Sequence, residues 1–566
     1  MRSKDGTAHA WAVLGGHRTL TRAIASTGPP GLLPARLPVM ELARSTVAVC
    51  ALAAAELAAT RAGLPLPKVA VDDRAVATAF VSERLLRVEG RAGETFAPLS
   101  RFWRSADGWV RTHANYPHHR TRLLAALGIP DSDDEAALTE RVAAVLAGRT
   151  AEEVEVAVYA AGGLAIAVRS REQWAAHPQG KAAAAAPLLS LDRVDEAPPR
   201  WPSSEPVDGV TMRSDGVDLP SDGPLMPAAG LRVLDLTRVI AGPVATRMLG
   251  LYGADVLRLD APQLPESQDA YNDTGFNKHS AQLDLGSRSG RATFEELLAS
   301  ADVVVTGYRP GALDQYGLSA EALAERRPGL VIAQLSAWGT DGPWAGRRGF
   351  DSLVQAASGI AVTESARGTV SDGDPDADRD GDIDRDVDRE SDRESGRGSA
   401  PDRDRDGTAG NGDTDRERRA SGASRASGAS RDSGAGRASE DDSPGVLPAQ
   451  VLDHGTGYLL AAAVLRSVTE QLHSGGTRVA RLALAQTASW LLDGIKPVGP
   501  ARGALWGRKE RETEPYAAER WLREIPGPQG RVRHALPPAT FDRSAADWWR
   551  APGLLGTDSP EWHRHE

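Results

Sequence analysis

The feature that most constrains the fold of this chain is a regular alternation of short apolar runs and helical patterns from residue 231 to residue 335. The apolar runs that read as strands are Leu231–Leu236 (LRVLDL), Asp255–Asp260 (DVLRLD), Val303–Tyr308 (VVVTGY) and Leu330–Leu335 (LVIAQL). Helical patterns fill the intervals, for example at Pro243–Tyr252 and Ser289–Ser300. Apolar strands that alternate with helices form a parallel sheet covered on both faces. We therefore predict an α/β fold, with ligands bound where the loops 237–243, 307–311 and 336–343 leave the carboxyl ends of the strands.

Two compositionally biased segments divide the rest of the chain. Residues 366–445 consist mainly of Asp, Arg, Ser, Gly, Glu and Ala and contain no Leu, Met or aromatic residue. Such a segment cannot bury enough apolar surface to offset the entropy of ordering, so we predict a long disordered insert that serves as a spacer. A regulatory or interaction segment is the alternative. Residues 187–228, which are rich in Pro, Ser and Asp, are predicted to form a linker.

An α+β domain is predicted ahead of this linker, over residues 1–186. Its patterns indicate a strand at Trp109–His113 and helices at Ala43–Ala62, Thr121–Leu127, Thr139–Leu146 and Ala151–Ala161. The α/β domain then covers residues 229–365, and the insert covers residues 366–445. Residues 446–566 are predicted to continue the α/β domain and to end in a C-terminal tail.

Charge and cysteine content narrow the classes of function. The net charge of −11 disfavours a general nucleic-acid role, which needs a basic surface. The single cysteine, Cys50, cannot form an internal disulfide, which fits a reducing compartment, and its apolar neighbours indicate a buried thiol. No secretory signal is visible, and the longest apolar stretch, near residues 46–55, is far shorter than the ~20 residues that cross a bilayer. We predict a cytoplasmic protein without a membrane partner.

Three histidines lie close together in the N-terminal region, namely His113, His118 and His119. Three imidazoles can ligate a metal. However, His118 and His119 are adjacent, so their side chains point in different directions in a regular element, and carboxylates are few nearby. We predict a polar loop and no metal site. The sequence also lacks the glycine-rich and HExxH or GxSxG motifs of nucleotide-binding folds, zinc proteases and serine hydrolases.

From residue 231 onward, five segments occur in the order of one enzyme family. They are LRVLDLTRVIAGPVATRMLGLYGADVLRLD at 231–260, FNKHSAQLDLGSRSGRATFEELLASADVVVTGYRPGALDQYGLS at 276–319, GLVIAQLSAWGTDGPWAGRRGFDSLVQAASG at 329–359, VLDHGTGYLLAAAVLRSV at 451–468 and TRVARLALAQTASWLL at 477–492. Each motif alone is weak, but together they resemble the class III (CaiB/BaiF) CoA-transferase family. The resemblance implies a Rossmann-like parallel sheet that binds CoA.

The resemblance also implies the chemistry and places its nucleophile at Asp453. In this family a carboxylate attacks an acyl-CoA thioester and then carries CoA as an enzyme thioester before passing it to an acceptor acid. The sequence puts Asp453 at the start of a helix, where the amides favour an ionised carboxylate and can stabilise oxyanions. From the residues alone, a helix-capping aspartate fits this position equally well.

The positions that match the family's CoA contacts are Val239, Ile240, Ala241, Asn277, Lys278, Gly307, Tyr308, Arg309, Arg348 and Asp351. Lys278 is expected near the nucleotide phosphates, and Tyr308 is expected to stack on the adenine. For Arg309 and Arg348, solvated surface charge is the alternative. The resemblance implies an acyl-CoA and a small carboxylic acid as substrates, with no permanently bound cofactor.

Departures from the family pattern leave two further functions open. The histidine that the family's α-methylacyl-CoA racemases use is replaced by Phe350, which disfavours a racemase. The segment ARSTVAVCALAAAELAATRAG at 43–63 and the segment from Arg101 resemble a second, partial copy of the family, without an aspartate at its nucleophile position near Ser45. We therefore expect a fused chain with one site built from both halves, as a homodimer or as a pseudo-dimer within one chain. A catalytically inactive CoA-binding or assembly protein is the third possibility.

Overall fold

The computed structural model describes residues 5–93, 96–200, 224–365, 443–496 and 516–563, with the backbone of two short strands between 211 and 218. Most of the predicted insert, residues 366–442, lies outside the described residues, so its disorder stays a prediction. The end of that predicted segment is ordered, because the Gly445 amide donates a hydrogen bond to the Ala361 carbonyl at 2.8 Å.

The described residues form helices and strands in a mixed order along the chain. The helices are α1 (Gly6–Val13), α2 (Val39–Ala62), α3 (Asp73–Ala79), α4 (Ser82–Leu85), α5 (Pro117–Leu127), α6 (Glu135–Ala147), α7 (Ala151–Ala160), α8 (Arg171–Ala176), α9 (Pro178–Ala185), α10 (Ala241–Leu251), α11 (Gln268–Thr274), α12 (Arg288–Leu298), α13 (Ala320–Arg326), α14 (Asp351–Ser358), α15 (Ile360–Thr363), α16 (Val451–Ser474) and α17 (Leu484–Ser489). The strands are β1 (Ile24–Thr27), β2 (Val69–Asp72), β3 (Arg87–Val88), β4 (Phe102–Arg104), β5 (Trp109–Thr112), β6 (Ala165–Ala167), β7 (Leu189–Arg193), β8 (Thr211–Arg213), β9 (Gly216–Asp218), β10 (Arg232–Leu236), β11 (Asp255–Asp260), β12 (His279–Gln282), β13 (Val303–Thr306), β14 (Val331–Ser336), β15 (Arg478–Ala483), β16 (Leu522–Gly527), β17 (Gly530–Ala535) and β18 (Ala539–Phe541).

A seven-stranded sheet forms the centre of the molecule, in the order β12-β11-β10-β13-β14-β15-β7. Its first six strands are mutually parallel, and β7 is antiparallel to β15. The predicted α/β sheet is therefore confirmed, and the four predicted strands are β10, β11, β13 and β14. Their side chains are almost entirely buried, because helices cover both faces of the sheet.

The prediction that residues 187–228 form a linker is wrong at both ends of this range, where residues take part in the folded structure. Strand β7 lies inside this range and pairs with β15, with Leu189 buried and Leu191 packed against the core. Alternating leucines let this short segment complete the edge of the sheet, although its neighbours are polar. Near the other end, the buried guanidinium of Arg61 donates to the Pro227 and Ala229 carbonyls at 2.6 and 2.8 Å.

Two long helices, α2 and α16, pack against each other through the core and occupy similar places in the chain path. Each has 24 residues and ends at a glycine with positive φ, Gly63 or Gly475. Helix α2 connects the parallel strands β1 and β2, and β2 pairs antiparallel with β18. Helix α16 leads into β15, which lies parallel to β14 and antiparallel to β7. This repetition agrees with a partial second copy, which itself stays a prediction.

Helix α2 is the one described helix that is long and apolar enough to cross a membrane. Of its most apolar stretch, 83% is buried inside the protein, so length and composition are weak evidence for a membrane span. Cys50 is one of the buried residues of α2, and burial raises the pKa of its thiol to about 12. Cys50 is thus an unreactive core residue, as its apolar neighbours predict.

The N-terminal region also contains a smaller layer of helices and strands. Strands β4, β5 and β6 form an antiparallel sheet, and α5, α6 and α7 share its apolar core. Helix α7 begins at Ala151 as predicted, and the other three expected helices begin earlier than predicted; α5, for instance, starts at Pro117, where proline suits the first turn. This layer matters for function because the first turn of α5 reaches the carboxyl edge of the large sheet.

Candidate active site

A cavity of about 490 Å³ lies at the carboxyl edge of the large sheet. Its floor is formed where five parallel strands end, at Leu236, Leu259, Leu283, Gly307 and Leu335. This is the edge at which the α/β pattern predicts ligand binding.

The roof of the cavity comes from a distant part of the sequence. Tyr116, His118, His119 and Arg122, at the start of α5, line the same cavity as Asp453 of α16. The structure therefore brings the N-terminal region over the predicted nucleophile. One cavity within one chain is lined by both halves of the sequence.

Asp453 is the third residue of α16, and its side chain reaches the cavity from a largely buried position. The expectation that the helix start favours its ionised form is wrong. A second carboxylate, Asp351, already accepts hydrogen bonds from the amides of Leu452 at 2.8 Å and Asp453 at 3.0 Å. Burial, followed by the negative charges of Asp351 and Glu83, raises the pKa of Asp453 well above its usual range.

A partly buried pair of side chains involves the next residue of this turn, His454. His454 Nε2 and Glu83 Oε2 are 3.2 Å apart, and Glu83 belongs to α4 of the N-terminal region. This contact links the N-terminal region to the residue that follows the predicted nucleophile.

Six of the predicted CoA-contacting residues line the cavity, namely Val239, Ala241, Gly307, Tyr308, Arg309 and Arg348. Ile240 lies in the same loop, but its side chain packs against the apolar core. Asn277 has a positive φ of 58°, and its side-chain oxygen accepts the amides of Trp549 and Arg550 at 3.2 and 2.9 Å. Asn277 therefore fixes the C-terminal segment and does not line the cavity.

The prediction that Lys278 contacts nucleotide phosphates is wrong for this structure. Its ammonium is fully buried and donates to Asp235 at 3.2 Å, to Thr246 at 2.7 Å and to the Pro243 carbonyl at 2.8 Å. Burial lowers the pKa of Lys278 to about 8. A charged residue can be buried in this way only because partners satisfy each donor. Asp351 likewise lies beneath α16 and does not line the cavity.

Five arginines line the cavity, and three of them, Arg122, Arg238 and Arg347, were not predicted. Arg238 pairs with Glu266 at 3.2 Å, and Arg347 pairs with Glu155 at 3.1 Å. Arg122, Arg309 and Arg348 have no carboxylate partner among the described residues. Burial and the nearby charges of Arg309 and Arg122 lower the pKa of Arg348. Three guanidinium groups that lie near one another without neutralisation favour an anionic ligand.

The prediction that the three histidines lie in a polar loop is wrong for His118 and His119, which belong to α5, and the three rings form an aromatic cluster. The described residues contain no group of metal-ligating side chains. His113 stacks on Phe350 with ring centroids 3.7 Å apart, and the rings of His118 and His119 are 4.2 Å apart. The two adjacent histidines thus both reach the cavity, contrary to expectation, because the first turn of α5 presents them to its edge. Burial, with the charges of neighbouring groups, lowers the pKa of His119 to about 2, so its imidazole is neutral.

A sequence model of CoA-transferase family III matches residues 228–375. This part of the chain is similar to that family. The match includes all of the cavity floor and ends before Asp453. It covers the β10–β14 part of the sheet, where the quoted motifs predict the resemblance.

Several curated CoA-transferases are similar to a short part of the chain. Acetyl-coenzyme A transferase nodX of Hypoxylon pulicicidum is 35% identical over 144 residues, which are 25% of this chain and 24% of that protein. The alpha subunit of succinyl-CoA–L-malate CoA-transferase of Chloroflexus aurantiacus is 32% identical over 149 residues, 24% of this chain and 35% of that subunit. Formyl-CoA:oxalate CoA-transferase of Escherichia coli is 31% identical over 149 residues, 24% of this chain and 36% of that enzyme. The alignments thus span between about a quarter and a third of the length of these relatives.

Solved structures of similar proteins include a CaiB/BaiF family protein from Brucella suis and the protein Rv3272 from Mycobacterium tuberculosis. The first is 19% identical, with a TM-score of 0.32, over 54% of this chain and 65% of that chain. The second is 23% identical, with a TM-score of 0.34, over 48% of this chain and 58% of that chain.

Proposed function

We propose that this protein is a CoA-transferase that moves CoA between an acyl-CoA thioester and a small carboxylic acid. The observation that carries the proposal is the position of the Asp453 carboxylate in one cavity with Arg122, Arg309 and Arg348, three arginines that pair with no carboxylate of the described residues. CoA is a polyanion through its phosphates, and guanidinium groups bind phosphate well. CoA would enter as a substrate and leave as a product, not as a resident cofactor.

The proposed reaction uses Asp453 as the nucleophile. Its carboxylate attacks the thioester carbonyl of the acyl-CoA, which gives a mixed anhydride and releases the CoA thiolate. The thiolate attacks the aspartyl carbonyl of the anhydride, so an aspartyl-CoA thioester forms and the first carboxylic acid leaves as its anion. The acceptor carboxylate then repeats both steps in reverse, takes CoA and regenerates Asp453.

The reactive form of Asp453 must be ionised, and its surroundings oppose that form. The raised pKa of Asp453 means that a smaller fraction of this carboxyl is ionised at a given pH than for an exposed aspartate. We therefore propose that transfer speeds up as pH rises until Asp453 is ionised. A thiolate and a carboxylate leaving group would both be stabilised by the nearby arginines.

We also propose that one chain forms one complete site. The roof residues Tyr116 and Arg122 belong to the same chain as Asp453. A second copy of the chain is then unnecessary for the cavity, and the protein acts as a pseudo-dimer. When the protein is diluted until light scattering detects only monomers, the activity per chain should stay constant.

The decisive experiment traps the covalent intermediate. The protein is incubated with acyl-CoA donors such as succinyl-CoA or formyl-CoA, treated with hydroxylamine or borohydride, and digested for mass spectrometry. We expect modification at Asp453, and loss of both modification and transfer in Asp453→Ala. The control is Asp493→Asn, which changes an exposed carboxylate paired with Arg171. Binding of CoA without any modification at Asp453 would instead favour the inactive CoA-binding protein.

A second candidate is α-proton transfer on an acyl-CoA, as in a racemase. Phe350 stands where the racemases of the family have a histidine, but the N-terminal region brings the neutral imidazole of His119 into the cavity with Asp453. Such a reaction needs two groups that exchange protons with the α-carbon, and His119 and Asp453 are two titratable groups in the cavity; the lowered pKa of His119 makes its imidazole a weak base. Incubation of a 2-methylacyl-CoA in deuterium oxide separates the two functions. Deuterium at the α-carbon, lost in His119→Ala, would support proton transfer, and its absence would exclude it.

A further inference from the structure

The loop between β10 and α10 contains a strained residue at the edge of the cavity. Val239 has a φ of +70°, a conformation that is strongly disfavoured for a β-branched side chain. Val239 also lines the cavity. Strained backbone persists only where surrounding contacts over-determine it, and such residues cluster at functional sites. The contacts that hold this loop are therefore of interest.

One buried carboxylate, that of Glu266, forms hydrogen bonds with this loop. Its Oε2 accepts a hydrogen bond from the Val239 amide at 3.3 Å and from Arg238 Nε at 3.2 Å. Arg238 also donates to the Pro265 carbonyl at 2.9 Å. The Glu266 side chain is only 2% exposed and does not line the cavity. Glu266 thus acts on the loop without reaching the ligand space.

The other oxygen of the same carboxylate binds the roof. The Tyr116 hydroxyl donates to Glu266 Oε1 at 2.6 Å, and the Arg238 guanidinium lies 5.2 Å from the centre of the Tyr116 ring. Tyr116 immediately precedes α5, the helix that carries His119 and Arg122. The Glu266 carboxylate therefore forms hydrogen bonds both with the loop of Val239 and with the roof of the cavity. These two parts lie more than a hundred residues apart in sequence.

We propose that Glu266 is a positioning residue that couples the roof of the cavity to the loop of Val239. When Tyr116 is docked, Glu266 is fixed, and the strained loop keeps the shape that binds the acyl-CoA. When the roof lifts, Glu266 loses one partner and the loop relaxes. The inference rests on the proposed acyl-CoA site, but its test includes a measurement that needs neither turnover nor CoA.

The test compares full-length Tyr116→Phe, Glu266→Gln and wild-type protein by hydrogen exchange and by calorimetric titration with CoA. Tyr116→Phe removes one hydroxyl in the roof and nothing in the loop. We expect it to speed amide exchange over residues 236–243 by about fivefold or more and to weaken CoA binding by about tenfold. Glu266→Gln should speed exchange over both 236–243 and 113–128. The control is Tyr516→Phe, which removes a hydroxyl bonded to Thr78 away from the cavity and should change neither segment.

The outcomes separate the coupling from the proposed function. If Tyr116→Phe leaves exchange over 236–243 unchanged, the coupling is overturned, whatever Glu266→Gln does. If Glu266→Gln does not fold, Tyr116→Phe decides alone. If Tyr116→Phe speeds loop exchange while even the wild-type protein binds no CoA, the coupling stands and the proposed function fails.

Discussion

Asp351 accepts a hydrogen bond from the backbone amide of Asp453 at 3.0 Å, so one carboxylate supports the helix turn that carries the other. The same Asp351 oxygen accepts the Leu452 amide at 2.8 Å, and the other oxygen is bound by Gln355. A helix start ordinarily lowers the pKa of a nearby carboxyl, because its amides are positive. Here burial of Asp453, together with the negative charge of Asp351 that accepts those amides, raises the pKa of Asp453 instead.

The pH dependence of transfer should reveal this carboxylate pair. In Asp351→Asn the negative charge beside Asp453 is gone, so the pKa of Asp453 falls. Because the ionised carboxylate is the nucleophile, the rising limb of the pH–rate profile should move to lower pH by about one unit. Initial rates measured from pH 5 to pH 9 check this. An unchanged limb, with the variant folded, would mean that Asp453 ionisation does not limit the reaction.

The free energy of unfolding should depend on pH through the same pair of carboxyl groups, and the direction of this dependence follows from the pKa of Asp351. The folded-state pKa of Asp351 is raised to about 6, with burial as the main cause, from a usual value of 3.8. A raised folded pKa gives stability that is complete below the unfolded value and is lost as pH rises through about 6. The loss is on the order of 3 kcal/mol.

Asp351→Asn lacks this titrating carboxyl. The free energy of unfolding of the variant, relative to that of wild type, should therefore increase as the pH rises from 4.5 to 7.5. Urea unfolding at both pH values measures the difference in free energy of unfolding. The matched control is Asp493→Asn, whose exposed carboxylate should give a difference that hardly changes with pH. A flat difference for Asp351→Asn as well would contradict the raised pKa.

Lys278 should contribute to the free energy of unfolding and not to the affinity for CoA. Lys278→Met leaves the Asp235 carboxylate buried without its ammonium partner, which typically costs about 3–5 kcal/mol. The free energy of unfolding in urea tests this cost. CoA affinity of the folded variant, measured by calorimetry below its unfolding temperature, should equal that of wild type. A large loss of CoA affinity with normal stability would restore the phosphate-binding role that the resemblance implies.

The sequence predicts elements whose signal is local and misses those that depend on distant partners. Strands β10, β11, β13 and β14 are continuous apolar runs, so they can be recognised one at a time. Strand β12 (HSAQ) has no such run, and β7 lies beside a polar, proline-rich segment, so neither is recognisable until its neighbour in the sheet is known.

The same distinction holds for the site. A motif places Asp453 on the first turn of a helix, which is local information. Its protonation depends on Asp351, 102 residues away, which no helix pattern reports. Lys278 is predicted near the nucleotide phosphates because nothing near it in sequence reveals Asp235 as its partner. Arg122 lies in the segment from Arg101 that resembles the partial second copy, but it matches none of the predicted CoA contacts and reaches the cavity only because the N-terminal region folds over the sheet.

Arg122 therefore gives the sharpest test of the two-part cavity. If its guanidinium helps to bind an anionic substrate, Arg122→Gln should weaken CoA binding by about ten- to hundredfold and reduce the dependence of affinity on salt. The matched control is Arg120→Gln on the same helix, because Arg120 pairs with Asp131 and Glu135 at 2.7 Å and does not line the cavity. Calorimetric titration with CoA at 50 and 300 mM salt measures both variants. Equal effects of the two substitutions would mean that Arg122 acts only through the stability of α5 and does not itself bind CoA.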